Sequence, residues 1–195
     1  LYAALGPNAS AAVFATTPKN TRKVVLATNI AETSITIPGV RYVIDSGLVK
    51  EKIFSPLTSI ETLQVLPISQ SSSLQRAGRA GREAPGECYR LYTREAFQAL
   101  ETMPVAEIHR TELSGAVLQL YAMHLDPFTF DWIDPPNQAL LQEAVLHLAE
   151  LGAIQSPKDG IQLTPLGHQL ASLPVTPSYA RLLLAAAERG PHVAS

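Results

Sequence analysis

The sequence predicts an α/β segment followed by a small α+β domain, and three features carry that reading. Val24-Val25-Leu26-Ala27 and Val40 to Ile44 are short β-branched runs of the kind buried on both faces of a parallel sheet, with a compact crossover, Asn29 to Gly39, between them. Val49 to Phe54 and Ile60 to Ile68 flank Ser55-Pro56-Leu57-Thr58, whose turn chemistry predicts a projecting β-hairpin with Lys50 and Lys52 on one side of its first strand. After Thr93 the texture changes to helical periodicity punctuated by proline.

Taken in order, Cys88 to Tyr92 reads as the last strand of the α/β segment. Leu113, Val117, Leu120 and Met123 or His124 then recur at helical spacing. Leu140, Leu141, Ala144, Val145, Leu148 and Leu151 form a second apolar stripe, after Asp134-Pro135-Pro136 and before Gly152. Lys158-Asp159-Gly160 turns the chain between two short extended pieces, ending in Leu163-Thr164-Pro165-Leu166-Gly167. Helices followed by a small hairpin look like a winged-helix module. A further helix begins near Thr176, and Trp132, Phe128 and Phe130 read as core anchors.

Composition bounds the function. A chain of 195 residues, 46% hydrophobic and 16% charged, can bury a core, which excludes disorder and collagen-like repeats. The single cysteine, Cys88, excludes a disulfide framework or a CxxC metal pair and fits a reduced, intracellular setting, nuclear or cytoplasmic. Apolar runs such as Leu182 to Ala187 fall far short of the roughly 20 residues of a membrane span. The first residue is Leu1 rather than Met, which suggests a piece of something larger. Net charge is −2, yet residues 1 to 94 hold 11 Lys and Arg against 6 Asp and Glu, whereas residues 95 to 195 hold 4 against 11. An arginine-rich half points to phosphates, of a nucleotide or of nucleic acid; an ordinary solvated surface is the plainer alternative. His109, His124, His147, His168 and His192 all lie in the acidic half without HExxH or paired spacing, so no metal site is expected.

Ser73-Leu74-Gln75-Arg76-Ala77-Gly78-Arg79-Ala80-Gly81-Arg82 carries the chemistry. As a helix starting at Ser72, with Gln75 completing a capping box, it places Gln75, Arg79 and Arg82 on one face. Two guanidiniums at one spot repel unless an anion sits between them, and their forked donors suit a polyphosphate. Gly78 and Gly81, poor helix formers, suggest the close approach of another backbone or a ligand and weigh against a merely solvated basic helix.

Gln75 to Arg82 resembles motif VI of superfamily 2 helicases in its DEAH-box form, and Thr28-Asn29-Ile30-Ala31-Glu32-Thr33-Ser34-Ile35-Thr36-Ile37 resembles motif V of the same family. The resemblance to DEAH/RHA-type RNA helicases runs through the hairpin, the strand at Cys88, the Asp134-Pro135-Pro136 helix and Leu163 to Gly167. It implies a partial RecA-like domain over residues 1–100, a winged helix over 101–173, and the start of a helical ratchet-like domain over 174–195. It further implies an NTP, ATP above all, with Mg²⁺ held mainly by a first RecA-like domain. Arg79 and Arg82 then match arginine fingers that reach the γ-phosphate, and Gln75 a glutamine that helps position the attacking water. Positive charge so placed is worth on the order of 10³ to 10⁵ in rate.

By the same resemblance Phe14 stacks on the base, a core phenylalanine being the alternative. Thr28 and Asn29 touch the RNA backbone, and Ser34 and Thr36 lie on the turn between RNA and nucleotide, where their hydroxyls could equally cap helices. Pro38 stands where many relatives carry an acidic residue near the ribose, so no ribose contact is assigned. The family implies RNA as partner, with protein activators, no membrane and a monomeric state. No GxxxxGK[ST] and no DEAH-like acidic motif occurs in the sequence, so the chain alone is expected to hold half a catalytic site and to be inactive. A non-catalytic RNA or protein scaffold is the rival reading.

Overall fold

A computed structural model describes residues 1–2, 5–155 and 160–189. They form two compact units, one of Leu1–Glu51 with Leu63–Pro104, the other of Lys52–Thr62 with Val105–Ser195. Lys158, Asp159 and His192, named from the sequence, lie outside the described residues.

The first unit contains α1 (Pro7–Phe14), a short α2 (Ile30–Thr33), β1 (Tyr42–Asp45), the inner part of a hairpin formed by β2 (Leu48–Ser55) and β3 (Ile60–Pro67), α3 (Gln70–Gly78), β4 (Glu87–Arg90) and α4 (Arg94–Gln98). β1 and β4 pair in parallel with Tyr42 opposite Glu87 and Asp45 opposite Arg90. A parallel pair needs a crossover, and α3 supplies it, packed against β1 with α2 on its other side. Two glycines make the arrangement possible. At Gly47 φ is +73°, and a Cβ would lie 2.7 Å from the Tyr92 ring; at Gly86 a Cβ would lie 2.3 Å from the Ala80 carbonyl oxygen.

One expected strand is missing. Val24 to Ala27 joins no ladder, and Val24 and Leu26 are 81% and 84% exposed. Among the described residues the backbone beside it is that of Leu1: the Thr28 N–H donates to the Leu1 carbonyl at 3.0 Å and the Leu1 amino group donates to the Leu26 carbonyl. A β-branched run becomes a strand only where neighbouring backbone extends along it. The other expected strands and the hairpin turn are present.

α3 also starts earlier than the capping-box pattern predicts. Ser69, not Ser72, is the cap, its Oγ accepting from the Ser72 N–H at 3.1 Å, while the Gln70 and Ser71 N–H groups donate to the Glu101 and Thr102 carbonyls. Those bonds satisfy donors that every helix start leaves open. At the other end of the unit, the Lys23 ammonium donates to the Val13 and Ala15 carbonyls and so closes the C-terminus of α1.

The second unit holds the larger apolar core. A 3₁₀ turn (Glu107–His109), α5 (Ser114–Ala122), α6 (Gln138–Glu150), α7 (Pro165–Ala171) and α8 (Pro177–Glu188) surround a two-stranded antiparallel sheet of β5 (Ile154–Gln155) and β6 (Gln162–Leu163), with Ile154 opposite Leu163. Val117, Leu118, Leu141, Leu148 and Leu170 centre this core, and Phe54 of the hairpin packs onto it. The helical stripes are where periodicity puts them, except that the first ends at Leu120. His124, at φ +60°, turns the chain out of the helix, and Met123 is exposed. Gly152 at φ +72° ends α6, and Thr164 caps α7 by accepting from the Gly167 N–H at 3.0 Å.

The aromatic anchors divide. Trp132 packs on the core and donates from Nε1 to the Pro127 carbonyl at 2.9 Å; Phe130 meets Trp132 edge-on at 4.9 Å rather than the core, and Phe128 is exposed. Cys88, in β4, is half-buried.

Candidate functional site

The arginine-rich stretch opens onto a cleft of about 290 Å³ lined by Glu32, Thr33, Gln75, Gly78, Arg79 and Arg82. The three side chains singled out from the sequence therefore share one cavity, but by a different route from the one expected. Gln75 rides on α3. The helix stops at Gly78, Arg79 occupies its C-cap, and Arg82 arrives on the turn beyond it, which is anchored by the buried Ala80 and by the Glu83 carboxylate accepting from the Gly39 N–H at 3.0 Å. A Cβ at Gly78 or Gly81 would meet nothing within 4 Å, so no neighbouring backbone of the chain requires glycine there.

Both arginines lean toward the segment that follows α2. Arg79 Nη1 donates to the Ile35 carbonyl at 3.0 Å, and Arg82 Nη1 donates to Thr36 Oγ1. Desolvation pushes the Arg79 pKa down, and the neighbouring Arg82 charge adds to the effect against a weaker pull from Glu32. Two cations held side by side in a cleft favour an anion that can accept from both forks.

Sequence reasoning missed the group behind this cleft. Arg76 Nε donates to Glu32 Oε2 at 2.9 Å, and its Nη1 donates to Asp45 Oδ1 at 2.8 Å and to the Leu48 carbonyl at 3.1 Å. Asp45 is 1% exposed. It also accepts from the Gly47 N–H at 3.0 Å and from the Tyr92 hydroxyl at 2.8 Å; Tyr92 pairs with Ser73 at 2.7 Å, and Arg90 Nε donates to Ser73 Oγ at 2.9 Å. Burial pushes the Asp45 carboxyl up, but the Gly47 N–H, Arg76 and Tyr92 together hold it below its ordinary range. Burial and the Asp45 acceptor push the Tyr92 hydroxyl up. The visible signal was slight: Asp45-Ser46-Gly47 reads as an ordinary turn, and Arg76 lies among four arginines within 15 residues of Arg90.

Thr28, Asn29, Ser34 and Thr36 are all exposed along one stretch of the first unit. Asn29 stands at the N-cap of α2, and its side chain makes no capping bond. Phe14, the last residue of α1, is 42% exposed and does not line the cleft. On the hairpin Lys52 pairs with Glu61 at 2.7 Å. In the second unit His109 meets Asp134 at 2.9 Å and His147 meets Ser178 at 2.8 Å. Among the described residues no three His, Cys, Asp or Glu are placed to hold a metal ion, and no helix is long and apolar enough to cross a membrane.

The arginine-lined cleft thus lies on a parallel α/β unit, and a helical unit with a small antiparallel sheet accompanies it in the chain. Residues 1–84 match the helicase conserved C-terminal domain, and residues 144–175 match the winged-helix form of the helicase associated domain HA2. The chain is 47% identical over 190 residues to the ATP-dependent RNA helicase DHX33 of Drosophila melanogaster and 46% identical over 187 residues to the pre-mRNA-splicing factor ATP-dependent RNA helicase DEAH10 of Arabidopsis thaliana. These alignments cover 97% and 95% of the chain but 27% and 26% of the two relatives, so it spans about a quarter of their length. The crystal structure of the Escherichia coli DEAH/RHA helicase HrpB superimposes with a TM-score of 0.86 at 37% identity, covering 95% of this chain and 23% of that one. The chain therefore carries the helicase conserved C-terminal domain followed by the HA2 winged helix, and in both it is similar to the C-terminal part of DEAH-box RNA helicases.

Proposed function

We propose that this chain supplies one wall of the NTP-hydrolysis site and part of the single-strand RNA grip of an ATP-dependent RNA helicase, which unwinds or translocates along RNA or remodels ribonucleoproteins. The observation that carries the reading is the convergence of Gln75, Arg79 and Arg82 on one cleft beside the exposed Thr28–Thr36 segment. The residues fit a nucleotide: two forked cations with, among the described residues, no carboxylate bound to either suit the γ-phosphate, and the open space over Gly78 leaves room for it. With ATP or another NTP and Mg²⁺ bound, the chemistry is phosphoryl transfer to water.

In this reading Arg79 and Arg82 stabilise charge that grows on the phosphoryl oxygens, and Gln75 orients water. Phe14 stacks on the base. Thr28, Asn29, Ser34 and Thr36 hold sugar and phosphate, contacts that carry no sequence information. The RecA-like part occupies residues 1–100, the winged helix 101–173 and the start of a ratchet-like domain 174–195. With no GxxxxGK[ST] or DEAH-like motif in its sequence, the chain by itself hydrolyses ATP negligibly, and it works as a monomer in the nucleus or cytoplasm, with RNA and protein activators.

Arg79→Ala and Arg82→Ala in the full-length protein test this. Each is expected to lower kcat by at least about 10²-fold with unchanged melting, since the fingers act on the transition state. Arg→Lys should rescue little because a point charge lacks the fork. A variant with wild-type kcat would make that arginine structural and favour the scaffold reading.

A further inference from the structure

We propose that Arg76 is a positioning residue on α3, the helix that runs into the turn carrying Arg79 and Arg82, and that it ties the RNA-facing segment to that helix through Glu32 and to β1 through Asp45. The inference rests on the hydrolysis reading above. Arg76 sits inside the same arginine-rich stretch as Arg79 and Arg82, yet its guanidinium is committed to protein: 15% exposed, it spends Nε on Glu32 and Nη1 on Asp45 and the Leu48 carbonyl. It is therefore not a third finger. Glu32 belongs to α2, whose flanks carry Thr28, Asn29, Ser34 and Thr36, and among the described residues it is also the acid that lines the cleft.

Two consequences follow from that placement. The Arg76–Glu32 pair makes α2 and α3 shift together, adding to the Arg79–Ile35 and Arg82–Thr36 bonds a link between the fingers and the N-terminal side of the RNA-facing segment. The same pair neutralises a carboxylate that would otherwise face bound phosphate. Asp45, held by Gly47 and Tyr92 as well, is the fixed end of the tether.

The test uses the full-length protein with ATP and a single-stranded oligoribonucleotide. Glu32→Gln keeps Arg76 on Asp45 and so keeps the fold; it is expected to retain the melting temperature while lowering the ratio of RNA-stimulated to basal hydrolysis about fivefold, at the modest end of coupling energies. Arg76→Gln exposes the Glu32 charge and is expected to raise the KM for ATP about tenfold, and the double variant Arg76→Gln with Glu32→Gln is expected to recover most of that rise. A wild-type stimulation ratio in Glu32→Gln overturns the proposal, as does a folded double variant whose KM is no better than that of Arg76→Gln. If Arg76→Gln does not fold, the Glu32→Gln ratio decides. Collapse of kcat in Arg79→Ala together with a silent Glu32→Gln would sink this inference alone; wild-type kcat in the finger variants would sink the hydrolysis reading beneath it.

Discussion

Asp45 concentrates the first unit's polar interactions in one side chain. Its carboxylate is buried and accepts from Gly47, Arg76 and Tyr92, and those donors outweigh the cost of taking the charge out of water. A carboxyl whose pKa is lowered on folding contributes stability above its unfolded pKa and loses it as pH falls through the folded one. Below the ordinary value of 3.8 the first unit should therefore weaken progressively, and Asp45→Asn should flatten that acid limb. At neutral pH the same substitution should cost about 3 kcal/mol, the lower end for breaking a buried pair, because Arg76 keeps Glu32. Denaturant melts at pH 7 and pH 3.5 read both effects. An acid limb unchanged in the variant would move the titrating group elsewhere.

Elements differ in how far local sequence dictates them. Ser69→Ala removes the cap of α3 and should cost about 1 kcal/mol in a denaturant melt, whereas Ser72→Ala should be close to neutral, because Ser72 is a donor to the cap through its backbone only. Sequence alone could not separate the two, since serines at 69, 71, 72 and 73 offer overlapping caps and the bonds from Gln70 and Ser71 to Glu101 and Thr102 choose among them. The hairpin, α5, α6 and α8 were legible because period and turn chemistry are local. Val24 to Ala27 was not, because pairing depends on a neighbour elsewhere in the chain. The cleft was legible as a set of side chains; Arg76 was not, since its partners lie 44 and 31 residues away and nothing in the spacing marks them. Gly167 was equally silent, although a Cβ there would lie 2.0 Å from the Ala153 carbonyl oxygen, where α7 comes close to the backbone just before β5.

At the scale of the whole chain the two units are stabilised in different ways. Among the described residues, the hydrophobic side chains buried in the first unit are Ile68 and Ala80, alongside the polar Asp45, Ser69 and Ser73, while the second unit buries a cluster from Leu113 to Ala180. The first unit therefore rests on a fully hydrogen-bonded polar network, which is unforgiving of a single lost partner, and the second on apolar packing, which is lost in proportion to the volume removed. Leu148→Ala, at a side chain with no exposed surface, should cost roughly 2 to 5 kcal/mol through the cavity it leaves. Hydrogen exchange should then locate that loss: amides of α5, α6, α7 and α8 lose protection, while those of Tyr42–Asp45 and Glu87–Arg90 exchange as in the wild type. Asp45→Asn should give the opposite pattern. Equal loss across both units in either variant would show one cooperative fold, and the separation of a polar-cored first unit from an apolar-cored second unit would have to be given up.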